Sequence, residues 1–339
     1  MYLRSGRTPE RIPPETEIKG QGGRGESAHS PLFVFFMQRN FMTTPGKKKR
    51  ASAKQRLPLA LIFLIFAVGI GAILYPIISN FFYEKNQSKL VTDYEEAVKD
   101  SSAAEREEQF RLAQEYNESL LGASVTLTDP FDPDALDQAG KEPYSSLLNL
   151  NGDGIMGYVE IPLIDVDLPI YHGTSGKILE KGVGHLENTS LPVGGESAHC
   201  VLTGHTGYPG KKLFTDLTSL EAGDVFYLHV LGSTLCYQVD QITVVEPEDT
   251  SLLKISYGED RVTLLTCYPY GINTHRLLVS GSRIPYDQAV SQEQAMDRKT
   301  DSQWSIAYGK GVLICLAVYV PLTLLILKLL KKRRSRFRF

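Results

Sequence analysis

The chain has 339 residues, four cysteines and a formal net charge of −3. This length gives room for one sizeable domain with appendages. Four cysteines are too few for the disulfide framework of small secreted proteins, so that class is excluded. The near-neutral total hides a segregation of charge. Residues 81–300 hold 16 Lys and Arg against 34 Asp and Glu, whereas basic runs lie towards both ends.

The N-terminal segment, residues 1–46, is rich in Gly, Pro, Arg and Ser and holds only one short apolar burst. This composition predicts a disordered extension. A basic segment follows at residues 47–56. Met42 lies directly before it and is the start of translation that we expect, but the sequence alone does not decide between Met1 and Met42. Residues 1–41 would then be an upstream translation artefact.

Two apolar segments predict transmembrane helices. Residues 57–79 carry no charge, and at about 1.5 Å per residue they reach about 35 Å, enough to span a bilayer. The second segment, 311–330, is interrupted only by Lys328. Basic residues precede the first segment and continue after the second, at 331–339. The positive-inside rule therefore places both termini in the cytoplasm and the acidic segment outside the cell membrane. Beside a span, such basic runs indicate topology, so no nucleic-acid partner is expected.

Helical spacing of apolar residues, interrupted at Ser101-Ser102, predicts two helices within residues 86–121. They either pack on the following domain or form a solvated stalk. A loop rich in Pro and Asp follows, within residues 122–146.

From Gly154 onward the pattern changes to short β runs separated by Gly, Pro and Asp. Seven or eight such strands predict a mainly-β fold, a closed or nearly closed barrel within residues 147–285. A linker, 286–303, then leads to the second span. The predicted strands are 157–161, 165–170, 198–203, 225–230, 235–245, 261–266 and 277–281.

The chemistry is concentrated where two of these strands meet. An apolar run leads to Cys267, which lies directly before a turn, and Arg276 lies directly before the next apolar run. Adjacent strands would place a thiol nucleophile beside a permanent cation with five donors, suited to holding an oxyanion. His205 closes another apolar strand in Leu202-Thr203-Gly204-His205-Thr206-Gly207 and is the natural third member. His275, beside the arginine, is the alternative on spacing alone.

These residues carry a resemblance to a family. Thr263-Leu264-Leu265-Thr266-Cys267 resembles the TLxTC signature of sortases, the cysteine transpeptidases of Gram-positive cell surfaces. His205 and Arg276 stand where that family has its other catalytic residues. The sequence is similar to that of class C sortases, which assemble pili, at Gly154–Tyr158, Leu168–Gly173 and Gly271–Arg276. The similarity runs from about residue 86 to 285 and implies an eight-stranded sortase-type β-barrel with N-terminal helices, flanked by the two spans.

The resemblance also implies a reaction. Cys267 attacks the threonine carbonyl of an LPxTG-like sorting signal, cleaving between Thr and Gly and leaving a thioester. His205 protonates the leaving amine and later accepts a proton from a pilin lysine, while Arg276 holds the substrate backbone and the oxyanion. Thr266 is positioned to contribute a supporting hydrogen bond. The implied partners are pilins or surface proteins with such signals. No cofactor and no metal are expected, and the chain is expected to be a monomer.

Asp129-Pro130-Phe131, in the Pro- and Asp-rich loop, resembles the lid of class C sortases. The resemblance implies that Asp129 pairs with Arg276 and that Phe131 covers Cys267, which closes the site at rest. The partial repeat at 132–134 leaves open a register one step later.

Several alternatives remain open at this point. A housekeeping sortase that anchors proteins to a peptidoglycan precursor shares the same chemistry. A cysteine peptidase or amidase would hydrolyse its thioester, and a surface adhesin or assembly scaffold would need no catalysis. Cys200 and Cys236 are either two buried thiols or a disulfide. Cys315 lies in the second span.

Overall fold

The computed structural model describes residues 53–123, 125–132, 142–295 and 302–336. The predicted N-terminal extension, most of the basic segment 47–56, much of the loop 122–146 and the end of the basic tail lie outside these ranges. The helices are α1 (Ala53–Asp100), α2 (Ala103–Leu120), α3 (Gly176–Leu179), α4 (Tyr286–Ala295) and α5 (Gln303–Arg336).

The two predicted N-terminal helices are confirmed, with their break at Ser101-Ser102. Ser102 caps α2, because its side-chain hydroxyl accepts a hydrogen bond from the Glu105 amide at 3.1 Å. The first helix is longer than predicted, since α1 continues without interruption from the apolar segment to Asp100. Hydropathy marks where a bilayer would end and not where a helix ends, and even Pro76, just before residue 79, does not end this helix.

Two of the described helices are long and apolar enough to cross a membrane. One candidate span begins at Leu64 in α1, and the other is Tyr308–Leu329 in α5. The two helices touch, because the Tyr308 hydroxyl donates to the Ile73 carbonyl at 2.5 Å.

Eight strands close into a barrel, which confirms the predicted fold. Their order around the barrel is β1-β2-β3-β4-β7-β8-β6-β5. The pairs β2–β3 and β4–β7 are parallel and the other neighbouring pairs are antiparallel. The strands are β1 (Ile155–Ile161), β2 (Val166–His172), β3 (Val183–His185), β4 (Ala198–Thr203), β5 (Val225–Val230), β6 (Ser233–Val245), β7 (Asp260–Tyr268) and β8 (His275–Ile284).

Two elements differ from the sequence expectation. Strand β3 was not among the predicted strands, because three residues are too few to show a period of two. The segment expected to be a linker, 286–303, begins instead with α4. This helix packs on the barrel through Ala289, which is fully buried, and the Tyr227 hydroxyl donates to Glu293 at 2.6 Å.

The N-terminal helices pack on the barrel, so the alternative of a solvated stalk is wrong. From α1, the Tyr94 hydroxyl donates to the Met156 carbonyl and accepts from the Leu231 amide, both at 3.0 Å. From α2, the Asn117 side chain exchanges two hydrogen bonds with the Leu191 backbone. These buried bonds fix both helices to the barrel.

Cys200 and Cys236 are free, buried thiols, so the disulfide alternative is also wrong. Cys200 lies opposite Val262 between β4 and β7, whereas Cys236 lies between Tyr227 and Ile284 of β5 and β8. Each behaves as a small apolar core residue.

Candidate active site

Cys267 and Arg276 face each other across the antiparallel pair β7–β8. Residues directly opposite in such a pair have Cβ atoms about 4.5–5.5 Å apart. Both are buried, each with 8% of its surface exposed. The prediction that adjacent strands bring this thiol and this guanidinium together is therefore confirmed.

His205 reaches the same end of the barrel through the parallel pair β4–β7. Thr203 lies opposite Leu265 in that pair, and the Gly204 amide donates to the Leu265 carbonyl at 3.1 Å. Parallel neighbours run about 4.8 Å apart. Two further residues along each chain lead to His205 on one side and Cys267 on the other.

Thr266 joins these two segments. Its buried hydroxyl donates to the Gly204 carbonyl at 2.7 Å, immediately before His205. Gly204 has no room for a side chain, because a Cβ there would lie 2.8 Å from the Phe214 ring. Phe214 also donates its amide to the His205 carbonyl at 3.1 Å. The backbone on both sides of the histidine is thus fixed.

The loop before the barrel reaches this site, and Asp129 pairs with Arg276 as the resemblance implies. Both Asp129 carboxylate oxygens accept from Arg276, at 2.8 Å from Nε and 2.5 Å from Nη2. The two side chains are only 12% and 9% exposed. This is a bidentate, charge-assisted pair, the strongest geometry open to these groups. It favours the register at Asp129; Pro133 and Asp134 of the alternative lie outside the described residues.

The Phe131 side chain lies against Arg276 and His205. Its ring centroid is 5.1 Å from the Arg276 guanidinium carbon and 5.3 Å from the His205 ring centroid. Together with Leu127, it packs on an apolar cluster of the barrel's outer side that includes Leu265. The loop is therefore held by apolar contact as well as by the ion pair.

Comparison with known proteins identifies this arrangement. A family model for the sortase domain matches residues 159–284. Sortase D of Bacillus subtilis is 33% identical over 131 residues, 38% of this chain and 63% of that protein. Sortase C-1 from Streptococcus pneumoniae shares 48% identity, with a TM-score of 0.55 over 58% of this chain and 99% of that one. A pilus-related sortase C of Group B Streptococcus shares 45%, with a TM-score of 0.54 over 58% and 98%.

The chain belongs to the sortase family. Members of this family are cysteine transpeptidases, so the predicted enzyme class is confirmed, as is the resemblance to class C sortases.

The resting charge state of this sortase site follows from burial. Burial raises the pKa of the Cys267 thiol to about 11; the neighbouring Arg276 lowers it and Asp129 raises it further. Burial also lowers the pKa of His205, which Glu180 raises and Lys211 lowers. At neutral pH, both directions favour the uncharged forms, a thiol and a neutral imidazole.

The other described histidines have different surroundings. His275, the alternative on spacing, is 41% exposed at its side chain and lies 3.3 Å from Glu246. His172, His185 and His199 are buried, and each has a ring nitrogen within hydrogen-bond distance of a backbone carbonyl. His229 contacts Glu160 on β1. The sortase therefore brings His205, and not these, beside the Phe131 ring.

Two residues near His205 were missed from the sequence. The Tyr208 ring centroid lies 5.3 Å from that of His205, and the Lys211 ammonium lies 4.9 Å from the Tyr208 centroid. An aromatic and a cation three and six residues after a histidine give no distinctive pattern. Within the described parts of the chain, no group of three or more His, Cys, Asp or Glu could hold a metal ion.

Proposed function

We propose that this sortase is a membrane-anchored class C enzyme that joins pilin subunits. One observation carries the catalytic assignment. Cys267 and Arg276 form a cross-strand pair, and His205 ends the parallel strand beside them. This arrangement supports Cys267 as the nucleophile, His205 as the acid/base and Arg276 as the oxyanion donor.

In the first half-reaction, His205 takes the proton of the Cys267 thiol, and the thiolate attacks the threonine carbonyl of an LPxTG-like signal. Arg276 holds the tetrahedral oxyanion. The Thr–Gly carbon–nitrogen bond then breaks, the imidazolium gives its proton to the leaving amine, and a thioester remains. The neutral resting forms of both groups suit this proton transfer.

In the second half-reaction, the amine of a pilin lysine attacks the thioester. His205 accepts a proton from that amine, an isopeptide bond forms, and the Cys267 thiolate leaves. Arg276 again holds the oxyanion. Attack by an amine in place of water is what distinguishes a transpeptidase from the alternative of a hydrolysing peptidase.

Asp129, Pro130 and Phe131 act as a lid in this proposal. While Asp129 occupies the Nε and Nη2 edge of Arg276, and Nη1 donates to the Asn273 and His275 carbonyls, the guanidinium has no free fork for a substrate backbone. Phe131, lying against Arg276 and His205, covers Cys267. Productive binding therefore requires that the segment leave the site.

The lid contacts and the class C neighbours support pilin polymerisation over the housekeeping alternative. The two helices long enough to span a membrane support anchoring by both ends, with the barrel outside the cell and both termini in the cytoplasm. The partners would be pilins or surface proteins that carry the sorting signal.

The test uses the full chain with a sorting peptide, with and without a lysine-bearing pilin. Mass spectrometry should detect an acyl group on Cys267. It should detect an isopeptide product only when the amine is present. C267A should give neither, and C315A, which removes the thiol in α5, should behave like the wild type. A hydrolysed peptide with no isopeptide product would support the peptidase alternative. Full pilus assembly by C267A would support the scaffold.

A further inference from the structure

The backbone that carries His205 continues into a loop, residues 204–214, that is followed by a 3-10 helix at Thr215–Ser219. Two bonds close this loop on itself. Phe214 donates to the His205 carbonyl and the Gly207 amide donates to the Thr215 hydroxyl, both at 3.1 Å. Contacts that fix residues 210–216 therefore also fix the position of the His205 backbone.

Helix α1 holds this loop directly after its apolar segment. The Asn80 side-chain oxygen accepts from the Lys212 amide at 2.9 Å, and its side-chain nitrogen donates to Glu84 at 2.8 Å. Asn80 is 8% exposed. Beside it, a Cβ on Gly210 would lie 2.4 Å from the Ser79 hydroxyl, so helix and loop backbone are in close contact.

A second contact runs through aromatic rings to the histidine. The Lys211 ammonium lies 5.3 Å from the Tyr83 ring centroid and 4.9 Å from that of Tyr208, and it donates to the Glu180 carbonyl. The Tyr208 ring in turn lies against the His205 ring. This is a cation between two aromatic faces, one from α1 and one from the loop.

The start of the second candidate membrane helix meets the same loop. The Ser302 hydroxyl, next to the first residue of α5, donates to the Asp216 carboxylate at 2.7 Å. Asp216 is buried and lies 3.7 Å from the Lys212 ammonium. Contacts from both helices thus meet within residues 210–216.

We propose that Asn80 is a positioning residue for His205, which it holds in place through Lys212, with Lys211 as a second support. The inference rests on the proposed acid/base role of His205. It adds that the turn of α1 around Asn80, which lies outside the barrel, affects the rate of proton transfer by His205. A purely structural role for Asn80 would instead affect folding and leave the chemical step unchanged.

The decisive variant is N80A in the full chain, with N86A as the matched control, because Asn86 is an exposed asparagine of the same helix. A misplaced acid/base group lowers the chemical step without weakening substrate binding, so kcat of acyl transfer should fall about tenfold with KM within about twofold. The titratable groups that act on His205 are Glu180 and Lys211. Greater access of water should move the histidine-dependent limb of the pH profile upward, towards about 6.5.

Exchange of donor and acceptor provides the rescue. In N80D/E84Q, a carboxylate at position 80 still accepts from the Lys212 amide, and the amide at position 84 now donates to that carboxylate. Activity and pH profile should return to within about twofold of the wild type, as expected if the hydrogen bond and not the residue type matters. K211M tests the second support independently and covers the case in which N80A folds poorly.

The outcomes separate the two proposals. If H205N keeps its transfer activity, the role of His205 fails and this inference fails with it. If H205N is inactive while N80A matches N86A in kcat and in pH profile, and K211M matches it in kcat, the catalytic assignment stands and the positioning role of Asn80 is overturned. Should N80A fail to fold, a kcat of K211M equal to that of N86A overturns it.

Discussion

Removing the Asp129 carboxylate should expose Cys267. The bidentate pair with Arg276, at 2.8 and 2.5 Å, is among the contacts that hold the described part of the lid in place. A hydrogen bond to a charged group contributes about 1.5–3 kcal/mol net. Since each 1.4 kcal/mol is about a factor of ten in an equilibrium constant, D129A should raise the open fraction about ten- to a hundredfold.

The assay is the rate of Cys267 alkylation by a small thiol reagent in the full chain. Asp240 supplies the matched control, because it forms a comparable bidentate pair with Arg261, at 3.1 and 2.6 Å, near the opposite end of β7. D240A should leave the rate unchanged. Equal rates, within about twofold, for D129A, D240A and the wild type would refute the lid argument, since that difference is far below the shift expected from losing a charged hydrogen bond.

Loss of the carboxylate has a second, separable effect. Asp129 raises the pKa of Cys267, so its removal lowers that pKa and increases the thiolate fraction at a given pH. A change in lid opening scales the whole curve of rate against pH, whereas a change in pKa moves its inflection. Rates measured from about pH 7 to about pH 12, past the wild-type pKa of about 11, therefore distinguish the two contributions.

Three further outcomes are expected. In the wild type, alkylation of Cys267 should rise about tenfold per pH unit up to a pKa of about 11, because only the thiolate reacts; a plateau below pH 9 would contradict the burial argument. T266V should lose about 1–3 kcal/mol in chemical denaturation, since the Gly204 carbonyl is left without its donor, and an unfolding midpoint equal to that of T266S would count against it. G204A, which forces a Cβ to 2.8 Å from the Phe214 ring, should lower the melting temperature and acyl transfer. Gly176 has open space, so G176A is its control, and equal losses in both variants would show that the contact is irrelevant.

Much of the barrel could be predicted from the sequence because its strands are long enough to show alternation and end at turn residues. The prediction of β4 as Ala198–Thr203 and of β5 as Val225–Val230 is confirmed without change. The cross-strand pairing of Cys267 with Arg276 also followed from local pattern, since only a short turn separates β7 from β8. Such contacts are encoded within a few residues of each other.

Long-range contacts left no comparable signal. Lys212 meets Asn80 across more than a hundred residues of chain, and nothing in either local sequence marks the other as its partner. Helix α4 was hidden for a different reason, because its polar composition is equally common in linkers and its buried residue, Ala289, is small. In both cases tertiary packing decides what local propensity leaves open.

The uninterrupted course of α1 limits where such an enzyme could work. A helix of 48 residues extends about 72 Å at about 1.5 Å per residue, with no flexible tether between its apolar half and the barrel. A domain on a flexible tether could sample a wide volume above a bilayer. With α1 continuous and attached to the barrel through Asn80, we expect the Cys267 thiol to stay at a nearly constant distance from the bilayer surface. In the function proposed above, the growing polymer and each new subunit would reach this enzyme by lateral diffusion in the membrane, so the fluidity of the lipid would govern how quickly a pilus lengthens.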